Sequence, residues 1–184
     1  MDVISGEKRQ TDNDRGVYGE SDRQKGMYMT FKSGNEYFGL KIQYVNEIIP
    51  YQSITAIPET ADYIKGLINL RGKIIPVIDT CLRFKQKPFE YNDRTCIMVI
   101  NVQSTVVGLI IEKIAEVVEI RDENILPPPS IGKSDKVQNK YVYGIGKIGD
   151  SVKLLLDPEK LINDEDMSVL EQANNMEAEE RGIM

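Results

Sequence analysis

The chain has 184 residues, 41% of them hydrophobic and 28% charged, with a formal net charge of -6. That composition describes one soluble globular unit, or two small ones sharing a core. Charges break every apolar run well short of the roughly 20 residues a membrane-spanning helix needs, and the N-terminus lacks the basic-then-apolar layout of a secretion signal, so a cytoplasmic protein without direct membrane insertion is expected.

The first 26 residues mix Asp, Arg, Gly, Ser and Gln without periodicity, a composition that cannot offset the entropy of ordering, and are expected to form a flexible tail. From Met27 the pattern changes to short runs rich in Val, Ile, Tyr and Phe separated by turn residues, the signature of many short strands. YMTFKSGNEYFGLKI predicts a hairpin turning at Ser33-Gly34-Asn35. Further strands are expected in INLRGKIIPVID, RTCIMVINV, TVVGLIIEKIAEVVEI, VYGIGKI and VKLLLD. Pro76 suits an edge strand or a bulge, because it brings no amide to a ladder. Helices are scarce: Asp157 and Pro158 start a short one over EKLI. Beyond it, residues 164–184 read as an acidic, exposed helix with Met167 and Leu170 on a weak apolar face.

The acidity is confined to that end. Residues 1–26 hold six acids and five bases, residues 27–163 sixteen and seventeen, and residues 164–184 seven and one. A near-neutral body offers no cluster of Lys and Arg for phosphates, which argues against nucleic acid as a partner. Histidine is absent, which removes the commonest general base and zinc ligand and excludes Ser-His and Cys-His nucleophilic sites. Cys81 and Cys96 lack a CxxC partner and read as free, buried thiols. No phosphate loop, dinucleotide fingerprint or calcium-loop spacing is present, so no catalytic residue, cofactor or metal is expected.

The most informative feature is an internal duplication. Phe38-Gly39-Leu40, Ile42, Val45, Glu47, Ile48 and Ile49 recur 69 residues later as Val107-Gly108-Leu109, Ile111, Ile114, Glu116, Val117 and Val118, and Ile57-Pro58 as Leu126-Pro127. After nine extra residues in the second half, Gly66 and Val77-Ile78-Asp79 match Gly144 and Leu155-Leu156-Asp157. Each half holds about five strands and is marginal for a private core. Closing each half into its own small barrel, with a third core between the two, accounts for the pattern.

Positions that break the repeat are where function can be added. Asn69-Leu70-Arg71-Gly72 is the sharpest break, set against Lys147-Ile148-Gly149-Asp150. Gly72 allows a tight reversal that presents the Arg71 guanidinium beside apolar runs. A planar fork of donors in that setting suits a protein interface. The same arginine could equally pair with Glu47 and brace a barrel.

These segments resemble the bacterial chemotaxis coupling (CheW) family. YMTFKSGNEYFGLKIQYVNEII, IPETADYIKGLINLRGKIIPVID, VVGLIIEKIAEVVEI and YVYGIGKIGDSVKLLLDPEKLI follow its order and spacing over about residues 27–163. The resemblance implies a mainly β fold of two pseudo-symmetric, five-stranded SH3-like β-barrels sharing a core. It implies a non-enzymatic adaptor that joins the cytoplasmic tip of chemoreceptors to the histidine kinase CheA through the kinase's own CheW-like regulatory domain, recruited from the cytoplasm to receptor arrays. Carried over by position, the receptor groove comprises Val45, Glu47, Ile48, Gly66, Asn69, Leu70 and Arg71, with Glu47 paired to Arg71. Leu126 and Ile131 fall where lateral kinase contacts are made. The 21 residues after position 163 are too few for another domain, which fits a stand-alone coupler. Two other classes compete: an enzyme using Glu47 and Glu116 as converging carboxylates, and a nucleic-acid-binding pair of small barrels.

Overall fold

A computed structural model describes residues 24–128 and 140–162, together with Ser168 and Gln172. The N-terminal tail up to residue 23, Ile131 with the rest of the loop over 129–139, and the C-terminal helix apart from those two positions lie outside the described residues.

The first half supplies β1 (Met27–Ser33), β2 (Glu36–Lys41), β3 (Val45–Pro50), β4 (Ile64–Leu70), β5 (Lys73–Asp79) and a one-turn helix α1 (Thr80–Arg83). The second supplies β6 (Cys96–Val102), β7 (Thr105–Ile111), β8 (Lys113–Glu119), β9 (Ile125–Leu126), β10 (Val142–Ile148), β11 (Ser151–Leu156) and α2 (Pro158–Leu161). The hairpin of β1 and β2 turns at Gly34 and Asn35, with Ser33 opposite Glu36. Asp157 starts α2, its carboxylate accepting from the Glu159 amide at 3.0 Å, with Pro158 at the first helical position.

Hydrogen bonding assembles a five-stranded sheet, β3-β6-β7-β5-β4, and a six-stranded sheet, β8-β1-β2-β11-β10-β9. This corrects the expectation that each half closes on itself. The five-stranded module takes three strands from the first half and two, β6 and β7, from the second; the six-stranded module borrows β1 and β2 in exchange. The two orders correspond strand for strand, β1 with β6, β2 with β7, β3 with β8, β4 with β10 and β5 with β11. Both modules contain one parallel contact, β5 with β7 and β11 with β2. An exchange of hairpins preserves every side-chain pattern within the strands, so sequence periodicity cannot distinguish it from two self-contained halves.

Pro76 does not lie at an edge, because β5 is an inner strand flanked by β4 and β7, but its ladder with β4 carries a bulge between Ile64 and Gly66, opposite the next residues of β5. Its place is still explained by the missing amide. Pro76 lies opposite Leu67, whose amide and carbonyl are both turned away to Thr55 at 2.8 and 2.9 Å. The parallel ladder with β7 begins only at Val77, so neither neighbour asks Pro76 for a donor.

Burial follows the exchange. The largest cluster lies between the sheets, joining Phe31, Phe38 and Leu40 of one to Ile78, Met98, Ile100 and Leu109 of the other. Alternate residues of β6 face opposite ways: Ile97 and Val99 enter a second cluster, inside the five-stranded module, with Ile68, Ile75, Val77 and Ile110. Among the described residues the six-stranded module's own cluster buries Tyr28, Ile120 and Leu155, with Val118, Ile125, Tyr143 and Ile148 packed partly buried against them. Where the halves meet, Arg83 of α1 is buried and its Nε donates to the Leu161 carbonyl of α2 at 3.0 Å. Its guanidinium lies 4.3 and 4.8 Å from the ring centres of Tyr63 and Tyr141, themselves equivalent in the repeat, so one cation ties the halves together. Among the described residues no helix is long and apolar enough to cross a membrane.

Candidate functional site

The sharpest break in the repeat forms the two-residue turn between β4 and β5. Arg71 and Gly72 have φ of 50° and 85°, the left-handed pair that a tight hairpin with the correct twist demands. The Asn69 side chain accepts from the Gly72 amide at 2.9 Å and fixes the turn. A non-glycine residue in this conformation costs about 1–2 kcal/mol. The equivalent turn of the other module has Gly149 there, at φ 56°. Arginine thus occupies a position at which the duplicated turn has the residue best suited to the backbone.

β3 and β4 are the two outer strands of their sheet. In a flat sheet, four interstrand spacings would hold them about 19 Å apart. Yet a terminal guanidinium nitrogen of Arg71, in the turn after β4, donates to a carboxylate oxygen of Glu47 on β3, so the sheet curls enough to bring this hairpin tip within side-chain reach of β3. A bulge between Val45 and Glu47 accompanies the approach. The Arg71 side chain remains 71% exposed and that of Glu47 31%. A pair this wet stabilises by about 0–1 kcal/mol and leaves guanidinium donors for another molecule.

Between the strands lies a cleft of about 150 Å³. Leu70, Ile75, Val99 and Val106 give it an apolar lining; Glu47, Arg71, Lys73 and Asn46 give it polar groups. Such a surface fits a protein segment that offers an apolar side chain next to a carboxylate.

The expected groove residues divide into three groups. Glu47, Leu70 and Arg71 line the cleft, and Asn69 fixes its turn. Val45 and Ile48 pack instead against the intersheet core, on the other side of β3. Gly66 is buried, and an added Cβ would fall 1.9 Å from the Thr55 carbonyl oxygen, so glycine there lets the chain at Thr55 cross β4. Its influence on the cleft is exerted through the backbone. Leu126 is 51% exposed on β9, at the outer strand of the other sheet; Ile131 is outside the described residues. Lys73 and Val106 were not among the residues expected from sequence. Lys73 is signalled only by standing two residues after Arg71, and Val106 arrives from the second half through the strand exchange.

The two carboxylates expected to converge, Glu47 and Glu116, belong to different sheets. Glu116 is exposed on β8 of the six-stranded sheet, whereas Glu47 faces Arg71 in the five-stranded one. Cys81 is buried and Cys96 half-buried, both free, and burial pushes both thiols above the ordinary range, which disfavours the nucleophilic thiolate.

A family model described as the CheW-like domain matches residues 27–166. The chain belongs to the CheW family. It is 35% identical over 144 residues to the chemotaxis protein CheW of Klebsiella aerogenes, covering 78% of this chain and 86% of that one. It is 31% identical over 146 residues to CheW of Treponema pallidum, covering 77% and 85% respectively. A crystal structure of the scaffolding protein TtCheW from Thermoanaerobacter tengcongensis superposes with a TM-score of 0.69 at 34% identity, spanning 77% of this chain and 94% of that chain. The cleft, its arginine and Leu126 all lie within the matched CheW-like domain.

Proposed function

We propose that this CheW-family chain is a non-enzymatic chemotaxis adaptor that couples the cytoplasmic tips of chemoreceptors to the histidine kinase CheA. It acts in the cytoplasm and is recruited to membrane-associated receptor arrays. The receptor is met around Arg71, Glu47, Leu70 and Asn69, with Val45, Ile48 and Gly66 shaping the same outer strands. The kinase is met through its own CheW-like regulatory domain, with Leu126 and Ile131 contributing lateral contacts. The observation that carries the reading is Arg71, held left-handed at a hairpin tip with an exposed guanidinium beside an apolar cleft. Residues retained against backbone preference mark places where the side chain has a task.

An adaptor without chemistry works by linkage. Holding receptor and kinase together transmits a signal only if the contacts differ between signalling states. Placing Arg71 and Leu126 on different sheets suits a bridging role, because two partners can be held at once. Interfaces of this class bury on the order of 800 Å² per partner, with a few anchors carrying most of the free energy. Arg71→Ala is expected to weaken receptor or kinase coupling by about 2 kcal/mol or more while the protein stays folded. Calorimetric titration against a receptor-tip fragment and the kinase, with circular dichroism as control, measures this. Unchanged affinity together with unchanged kinase activation in a reconstituted array would overturn the reading.

A further inference from the structure

The six-stranded sheet carries a row of lysines that its twin lacks. The parallel ladder of β11 with β2 pairs Leu154 with Phe38, which sets Lys153 beside Tyr37. Tyr37 lies opposite Lys32 of β1, and Lys32 opposite Lys113 of β8. Residues paired across strands share a face, here the face on which Tyr28 and Leu155 enter the module's own cluster. At the repeat offsets the same row of the five-stranded module reads Ile75, Val106, Asn101 and Tyr44. It holds no charge, so the fold does not require the lysines.

Lys153 is the most constrained of them, at 7% exposure. Gly146, directly opposite on β10, leaves room for its stem, and its ammonium lies 4.2 Å from the centre of the Tyr37 ring. A ring face offsets part of the cost of drying an ammonium but does not replace a charged acceptor. Lys32 pairs with Glu112 at 3.5 Å. Arg94 joins the row where Lys32 and Lys113 line a polar cleft of about 350 Å³ with Asp93 and Glu112. Among the described residues no carboxylate pairs with Lys153, Lys113 or Arg94. The acids nearby are Glu112, already engaged, Asp93 in the cleft, and Glu116, exposed on β8 where its backbone bonds the Thr30 hydroxyl.

We propose that this row binds an extended, acidic segment of a protein partner, whose carboxylates meet Lys153, Lys113 and Arg94. Three strand spacings set Lys153 and Lys113 about 14 Å apart. One small anion cannot span that distance, whereas same-face carboxylates four residues apart in an extended chain lie about 13 Å from each other. Each carboxylate gains a charge-assisted hydrogen bond, and Lys153 gains the acceptor that its own sheet does not supply. A single aromatic ring, already covered by Lys153, offers no stacking platform for a nucleic-acid strand. The row is on the other sheet from Arg71 and stands independently of the adaptor reading.

Labelled hexaglutamate, titrated with the full chain and read by fluorescence anisotropy at low and at physiological salt, tests this. Binding is expected, weaker as salt rises. Lys153→Met and Lys113→Gln are each expected to weaken it on the order of tenfold, the loss of one charge-assisted hydrogen bond. Lys147→Gln removes the same charge from an exposed residue one position along β10 from Gly146, and therefore on the other face; it is expected to leave binding unchanged. Absence of binding, or equal weakening by Lys147→Gln, overturns the proposal. Displacement of hexaglutamate by inorganic phosphate at matched ionic strength assigns the row to a small anion and also overturns it. Lys153→Met gives β11 an apolar residue, as Ile75 is in its twin, and is expected to stay folded by circular dichroism. Should it unfold, Lys113→Gln decides: a tenfold loss supports the proposal and retained affinity overturns it.

Discussion

The five-stranded and six-stranded modules share strand order, parallel contact and helix caps, yet they are filled differently. Ile68, Ile75, Val99 and Ile110 line the interior of the first; their counterparts in the repeat are Gly146, Lys153, Thr30 and Lys41. The second compensates with polar bonds. Tyr28 and Tyr143 join hydroxyl to hydroxyl at 2.5 Å, and Thr30 donates to the Glu116 carbonyl at 2.7 Å. The module with the drier, fuller interior is the one that carries the strained Arg71 turn and the cleft. A tip held in an unfavourable conformation keeps its geometry only where the scaffold beneath it is rigid.

That contrast is sharpest at one equivalent pair of positions, Ile97 and Tyr28. Ile97 is fully buried, and Ile97→Ala is expected to cost about 2–5 kcal/mol, the lost apolar burial plus the cavity left behind. Tyr28→Phe removes one hydroxyl and is expected to cost about 1 kcal/mol. Urea denaturation of both variants measures the difference; equal losses would contradict unequal packing of the two interiors.

The hairpin at Gly34 and the cap at Asp157 were legible because each rests on residues close in sequence, and the duplication and the glycine-for-arginine break because residue types recur in one order along the chain. The exchange of β1 and β2 for β6 and β7 was not. Strand periodicity reports which face is buried and not which sheet a strand joins. The same blindness hid Val106, which reaches the cleft only because β7 packs beside β5, and left Pro76 open between an edge and a bulge. Val45 and Ile48 sit near Glu47 in sequence, but strand alternation and the bulge turn them to the intersheet core.

Alkaline titration probes the polar side of the comparison. Burial, more than any other influence, raises the phenols of Tyr28, Tyr143 and Tyr91 above the usual tyrosine value, and for Tyr91 the bond to Asp79 adds to it. Groups whose folded pKa is raised contribute stability that is complete below the unfolded value of about 10 and is lost as pH rises toward the folded one. A phenol that ionises in the unfolded chain and stays neutral in the folded one removes at most about 1.4 kcal/mol of stability per pH unit in that window, and the hydrogen-bonded Tyr28 and Tyr143 act as one coupled pair. Tyr143→Phe is expected to flatten the decline above pH 10, read as denaturation midpoints at stepped pH. An unaltered slope would mean that the phenol ionises as readily folded as unfolded.

The smallest effect concerns the ion pair. A double-mutant cycle of Glu47→Gln and Arg71→Gln is expected to return a coupling of about 0–1 kcal/mol in thermal or chemical unfolding. A larger coupling would assign Arg71 to bracing the curled sheet in place of meeting a partner.

Arg71→Gly brings these strands of argument to one point, because it gives the first module the residue its twin uses in the same turn. Glycine relieves the left-handed backbone while deleting the guanidinium, so stability is expected to stay level or rise by up to about 1 kcal/mol. Calorimetric titration of that variant with receptor-tip fragment and kinase is predicted to show coupling weakened as severely as by Arg71→Ala. Full-strength coupling in a protein bearing glycine at position 71 would contradict the claim that this turn is kept strained for the sake of its side chain.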